Sequence, residues 1–407
     1  MSILVGSDMQ DEPRSPKLIQ VLVFVWLLHL ASRDKQQAAL PTCNQHNLQV
    51  QKAIETLQPT GSPFEEDRQF FHARYTSPAY DIIMGGFFGF MYRQTVFTPK
   101  PIPAERSLSG NTVLITGANI GLGFEAAREI ASHKPSRLIL AVRDIAKGEA
   151  ARKEISKGSP DCNIEVWPID YDSYDSIISF SQRVATLDRL DYALLSAGIK
   201  QLRYTTAHTG HEANLQINHL ATSLLSLLLL PTLRRTEKLT GKPSRLTIVS
   251  SEGHFWIPFK ERTAPNILAR MDEKETFGSQ MQRYYTTKLL NILWVRELAS
   301  RVGAKEVIIN TLNPGFCYSS LHRHESSGIT KIFLWLFGWT TEQGGHCLVD
   351  ALVEHEDSHG LYMSEQKITE PSSFVLSDEG EVAQKKVWDE TIALLKREAP
   401  GADIVIP

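Results

Sequence analysis

The chain has 407 residues, 42% hydrophobic and 22% charged, the balance of a globular protein with one large domain or two ordinary ones. Its 43 basic and 46 acidic side chains leave a net charge of −3, which provides no electrostatic footprint for a nucleic-acid partner. Cys43, Cys162, Cys317 and Cys347 are far apart and form no CxxC or Cys/His spacing; this argues against a metal centre or a disulfide framework and for reduced thiols in a cytoplasmic protein.

Residues 1–80 read as an N-terminal extension, either a targeting segment or a mis-assigned start with Met84 or Met91 as the alternative. Within it, 18–31 (LIQVLVFVWLLHLA) is strongly apolar, with Arg14 and Lys17 before it and Arg33 and Lys35 after it. Such a run is short of the roughly 20 residues a span needs, and no small-x-small cleavage site follows. Membrane association through 18–31 and a packing helix are both left open. Residues 81–107 form a lead-in: Phe87, Phe88, Phe90, Met91 and Tyr92, then an extended connector with Pro99, Pro101 and Pro103.

From 108 to 398 strand-like runs alternate with helical patterns. Strands are expected at Thr112–Thr116, Arg137–Val142, Ile164–Ile169, Tyr192–Leu195, Arg245–Val249, Val307–Leu312 and Leu361–Ser364. Helices are expected at Gly121–Ser132, Ala146–Ile155, Asp175–Ala185, Ala213–Leu233 and Tyr284–Val302. This alternation implies right-handed crossovers and an α/β fold with a doubly wound, Rossmann-type parallel sheet, binding ligands at the carboxyl ends of its strands.

The turn after the first strand, Thr116-Gly117-Ala118-Asn119-Ile120-Gly121-Leu122-Gly123, opens a helix, the context a pyrophosphate cradle requires. Gly117, Asn119, Gly121, Leu122 and Gly123 are therefore cofactor candidates. An acidic residue at the end of the second strand would select NAD. Arg143 stands there instead, followed by Asp144, and an arginine suits the 2′-phosphate of NADP. The competing reading is a solvated surface charge.

Tyr284 and Lys288 lie four residues apart on one helical face, whereas Tyr285 points about 100° away. A phenol titrates near 10, and a nearby ammonium is expected to lower that value and turn Tyr284 into a proton donor. His254 follows Ser251 by three positions, but no G-x-S-x-G elbow surrounds the serine, so His254 reads as a lid residue rather than a hydrolase base.

Taken in order, these motifs resemble the short-chain dehydrogenase/reductase family over roughly 85–400. The family's TGxxxGxG appears as TGANIGLG, its YxxxK as Tyr284 and Lys288, and its PG turn as Asn313-Pro314-Gly315. The resemblance implies that Asp170 contacts the adenine and that Ser196, Gly315, Cys317 and Ser319 also line the cofactor site. It further implies that Ser251, in preference to Ser250, positions the substrate oxygen. Tyr284 would exchange the proton, Lys288 would tune Tyr284 and hold the ribose, and Asn218 would hold a water linking Lys288 to solvent. The family's NNAG is Leu195-Ser196-Ala197-Gly198 here, so both asparagines are missing. The 33 positions from Ser251 to Tyr284 make 252–283 an insertion expected to reshape the substrate entrance.

Residues 316–345, with Ile332 to Trp339 (IFLWLFGW), are expected to form a substrate lid that favours an apolar small molecule or, alternatively, to be simply buried. FFGFMYRQTVFTPKPIP, NPGFCYSSL and HGLYMSEQKITEPSSFV look like short-chain reductases of filamentous fungi that tailor secondary metabolites. The resemblance thus implies an NADP-dependent oxidoreductase interconverting a ketone and a secondary alcohol on a polyketide or terpenoid. Alternatives are a membrane-associated retinol- or steroid-type dehydrogenase and a non-enzymatic NADP-binding regulator. Homo-oligomers are common on this fold.

Overall fold

In the computed structural model, residues 86–318 and 334–407 are described; the apolar run at 18–31, the rest of the extension and Ser319 lie outside them. Among the described residues, eight strands form one sheet in the order β3-β2-β1-β4-β5-β6-β7-β8. They are β1 Thr112–Thr116, β2 Arg137–Val142, β3 Ile164–Pro168, β4 Tyr192–Leu195, β5 Ser244–Val249, β6 Val307–Leu312, β7 Tyr362–Ser364 and β8 Lys367–Ile368. The first seven are parallel and β8 is antiparallel to β7.

Every residue of β1, β5 and β6 is buried, as expected of strands covered by helices on both faces. The helices are α1 Phe87–Val96, α2 Gly121–Ser132, α3 Ile145–Gly158, α4 Tyr174–Ala185, α5 Ala221–Thr240, α6 Ile267–Asp272, α7 Gln280–Arg301, α8 Thr341–Val353, α9 Ser373–Leu376 and α10 Asp378–Glu398. One face of the sheet packs α4, α5, α7 and α10, with Trp294 stacked on Trp388 at 4.5 Å between ring centroids. The other packs α2, α3 and α8. The chain winds one way from β1 to β3 and the other way from β4 onward. A crevice therefore opens between the carboxyl ends of β1 and β4.

Local departures from the expected pattern have local causes. The helix expected at Ala213–Leu233 is broken into Ala213–Leu215, a wide π turn at Gln216–Leu220, and α5. That widening accommodates the fully buried Asn218, whose side chain bonds outward to another loop. Helix α7 starts a turn earlier than expected, because Ser279 and Gln282 form a capping box. Strand β8 was not anticipated. Glu365 and Gln366 take φ of 48° and 56° and close a tight hairpin on β7. The lead-in is also more than a connector, since it contains α1.

Among the described residues, one helical stretch, Ala213–Thr240, is long and apolar enough to cross a membrane. As 89% of its most apolar window is buried inside the protein, it is a core element here.

Candidate active site

The turn between β1 and α2 is shaped by its glycines. Gly117 and Gly121 take φ of 70° and 63°. A Cβ on Gly123 would sit 2.5 Å from the Gly117 carbonyl oxygen, so only glycine permits this approach. The helix behind it, α2, is preceded by Ile120, which supplies no side-chain cap, and has no acid in its first turn. Its amides thus remain open to an anion. Asn119 and Leu122 are half-buried on the same turn. Uncapped donors and tight glycines fit a dinucleotide pyrophosphate.

Arg143 is exposed just beyond β2. Asp144 is engaged as the cap of α3, its Oδ1 accepting from the Lys147 amide at 3.1 Å; that hydrogen bond holds its carboxyl below the usual range. Asp170 follows β3, half-buried, and its Oδ1 accepts from the Asp172 amide at 3.1 Å.

Ser196, at the end of β4, is held without the expected asparagines. Thr116 Oγ1, in β1, accepts from the amides of Ser196 and Ala197, each at 3.1 Å. A hydroxyl from the neighbouring strand therefore does the anchoring, a partner that a motif reading of LSAG does not reveal.

The catalytic candidates converge at the ends of β5 and α7. Ser251 and Tyr284 line one cavity of about 360 Å³, together with Leu122, Gly315 and Cys317. Ser251 caps a single turn, Glu252–Phe255, and its Oγ accepts from the Gly253 amide at 3.2 Å. Ser250 is buried, and its hydroxyl donates to the Lys288 carbonyl at 2.7 Å, which ties it to the scaffold.

Asn218 braces a neighbouring loop. Its Oδ1 accepts from the Ile199 amide at 2.8 Å, and its Nδ2 donates to the Ile199 carbonyl at 2.9 Å and to Thr287 Oγ1 at 3.0 Å. Gly198 separates it narrowly from the lysine. A Cβ there would lie 3.2 Å from Asn218 Oδ1 and 3.5 Å from Lys288 Nζ.

Lys288 and Tyr284 are close but are not coupled as the sequence predicts. Lys288 Nζ donates to the Val249 carbonyl at 2.9 Å and lies 5.8 Å from the Tyr284 ring centroid. Tyr284 keeps a part-exposed face, yet desolvation pushes its phenol above 10 rather than below it. Burial likewise pushes the Lys288 ammonium down, to about 8. Burial thus sets the direction of both shifts, a correction to the expected lowering of the phenol.

Past β6, Asn313 Oδ1 accepts from the Gly315 amide at 3.1 Å, and Gly315 takes φ of 81°. A Cβ on it would meet the Trp339 ring at 2.2 Å. Cys317 is buried beside it, its thiol donating to the Pro314 carbonyl at 3.3 Å and pushed well up by burial. In the described parts of 316–345, Leu334, Phe337 and Trp339 are buried and Trp335 is exposed. In the insertion, Glu252, Gly253, Trp256 and Met281 border the cavity. The rest folds into a separate wall around a second cavity of about 710 Å³.

His254 proves to be an internal brace rather than a lid residue. Its Nε2 accepts from the Ser372 amide at 3.1 Å, which can only donate; Nδ1 must then carry the proton and donate to the Ser251 carbonyl at 2.8 Å. Burial pushes this imidazole down to about 4, and that of His219 to about 3. Between pH 6.5 and 4 the unfolded chain binds protons at these positions that the folded chain refuses. Their stabilisation is therefore present above pH 6.5 and is lost as pH falls. Equilibrium denaturation is expected to show a loss of several kcal/mol over that interval. For His211, burial lowers the imidazole but is outweighed by the hydrogen bonds its ring nitrogens donate to the Asp272 and Glu398 carboxylates; the net upward shift acts in the opposite sense above pH 6.5. A flat profile from pH 6.5 to 4 would contradict the buried, neutral assignment.

Residues 111–254 match the family model described as short chain dehydrogenase. The chain is 54% identical over 285 residues to the short chain dehydrogenase sol3 of Alternaria solani, covering 70% of this chain and 99% of that one. It is 39% identical over 326 residues to the short chain dehydrogenase/reductase dmxR8 of Cryptosporiopsis sp., covering 77% and 98%. A crystal structure of an uncharacterised Mycobacterium paratuberculosis protein shares the fold, with a TM-score of 0.54 and 22% identity over 75% of this chain and all of that one. With a relative this similar matched along nearly its whole length, the chain belongs to the short-chain dehydrogenase/reductase family, oxidoreductases that act between alcohol and carbonyl groups with a nicotinamide cofactor.

Proposed function

We propose that this enzyme uses NADP to interconvert a ketone and a secondary alcohol on an uncharged, apolar small molecule. The observation that carries the reading is the shared cavity, which Leu122 of the glycine turn borders together with Ser251 and Tyr284. A bound nicotinamide supplies or accepts the hydride. Ser251 donates a hydrogen bond to the substrate oxygen, and Tyr284 donates a proton to the same oxygen in reduction or removes it in oxidation. Lys288 holds the ribose hydroxyls, and Asn218 keeps the loop at Ile199 seated beside it. Gly117, Asn119, Gly121 and Gly123 cradle the pyrophosphate, Asp170 meets the adenine, and Ser196, Gly315 and Cys317 border the cofactor. Beside Ser251 and Tyr284 the lining carries Lys200 and Glu252, the latter paired with Arg93, but most of it is apolar or aromatic (Phe90, Leu122, Trp256, Met281, Phe316), which favours a polyketide or terpenoid carbonyl over a sugar. The resemblance to fungal tailoring reductases and the fungal sources of the relatives support a place in secondary metabolism.

Exposed Arg143, beside an Asp144 already committed to capping α3, supports NADP over NAD. Steady-state oxidation of NADPH and NADH with a panel of apolar ketones tests both parts. The wild type is expected to prefer NADPH. Arg143→Ala should cut that preference by about 10–100-fold, the worth of one charge-assisted hydrogen bond. An unchanged cofactor ratio would reject Arg143 as the selector, and no ketone reduction with either cofactor would reject the activity.

A further inference from the structure

Helix α1 precedes the residues matched by the family model, which begin at 111. It nevertheless reaches the catalytic cavity. Phe90, buried on α1, lines the same space as Ser251 and Tyr284. Its ring meets Trp256 edge to face at 5.3 Å and Phe316 at 5.9 Å, and Trp256 in turn lies 5.7 Å from Tyr285. One wall of the cavity is thus a row of four aromatic rings, each from a separate chain segment.

Polar contacts fasten the helix on both sides. Arg93 Nη2 pairs with Glu252, the residue after Ser251, while Arg93 Nε lies 3.3 Å from Glu365. Gln94 Nε2 donates to the Phe316 carbonyl at 3.0 Å, and Gln94's own carbonyl accepts from Trp339 Nε1 at 3.1 Å. Both sets of contacts adjoin groups that border the cavity. Glu252 is next to Ser251, and Phe316 and Trp339 adjoin Gly315.

We infer that α1 completes the substrate site and that Phe90 sets the size of the ring system it accepts, the preferred substrates being uncharged cyclic ketones that pack against this aromatic wall. The inference rests on the ketone-reductase reading above. It adds that a segment ahead of the family core decides specificity. Trimming Phe90 opens space at the wall without touching Ser251, Tyr284 or the glycine turn. The gain should therefore grow with substrate size while the KM for NADPH stays unchanged.

The test compares full-length wild type, Phe90→Ala and Phe90→Leu on cyclohexanone, 1-tetralone and a three-ring ketone, with circular dichroism to verify folding. Phe90→Ala is expected to raise the kcat/KM ratio of the three-ring to the one-ring ketone by at least about tenfold, and Phe90→Leu to move it less in the same direction. Equal changes for all three ketones, or none, would overturn the inference. If the wild type turns over no ketone, the activity reading fails by itself. Quenching of tryptophan fluorescence by the same ketones, with NADPH present, then decides the role of Phe90. A size-dependent affinity shift in Phe90→Ala supports it, while an unshifted profile or no binding overturns it.

Discussion

Tyr284→Phe is expected to lower kcat/KM for ketone reduction by about 10²–10⁴, the usual worth of a positioned general acid, while leaving the fold and NADPH affinity intact. The substitution removes one hydroxyl from a part-exposed ring at the cavity wall, so its stability cost should stay within about 1 kcal/mol. It leaves Lys288 bonded to the Val249 carbonyl and the glycine turn unaltered. A loss confined to turnover would mark an interaction made chiefly in the transition state. Parallel loss of NADPH binding would instead indicate a structural role. Activity within a factor of two of wild type would remove Tyr284 from the chemistry.

Lys288→Met is expected to lower kcat/KM by a comparable factor of about 10²–10⁴ while carrying a distinctive stability signature. The lysine is buried and its ammonium is pushed from 10.5 to about 8. Below pH 8 both folded and unfolded chains hold the proton, and the folded chain bears the full burial cost. Between pH 8 and 10 the folded chain releases the proton while the unfolded chain keeps it, so wild-type stability rises with pH. Methionine lacks this term. The difference in unfolding free energy between wild type and variant should therefore shift toward wild type by about 2 kcal/mol from pH 8 to pH 10. Tyr284, pushed above 10, remains protonated in that interval in both proteins and does not mask the effect. The wild-type rate should also fall above about pH 8 as the free enzyme loses the ammonium. A difference independent of pH would show Lys288 fully charged in the folded state throughout.

What could be read from sequence followed burial. Runs such as TVLIT and VIINTL are apolar along their whole length because helices cover both faces of the sheet, and their bounds matched the structure. The glycine turn was legible because its geometry leaves no room for a Cβ at Gly123. Features set by distant partners were not. The π turn around Asn218 exists to meet Ile199, and nothing in QINHL marks it. The role of His254 depends on Ser372, more than a hundred residues away. Helix α1 was visible only as an aromatic cluster, because its anchors, Glu252, Glu365 and Trp339, come from far along the chain. The coupling of Lys288 to Tyr284 was misjudged for a related reason. Spacing reports proximity on a helix, whereas the pKa of each group is decided by what the rest of the fold packs around it.

The central claim is hydride transfer to a carbonyl carbon in the cavity bordered by Leu122, Ser251 and Tyr284. Single-turnover reaction of a cyclic ketone with NADPH deuterated at the nicotinamide C4 position, followed by mass spectrometry, tests it most directly. Wild type is expected to place one deuterium on the carbinol carbon of a single product enantiomer, and Tyr284→Phe none above background on the same timescale. Product without deuterium, or equal labelling by wild type and variant, would contradict it.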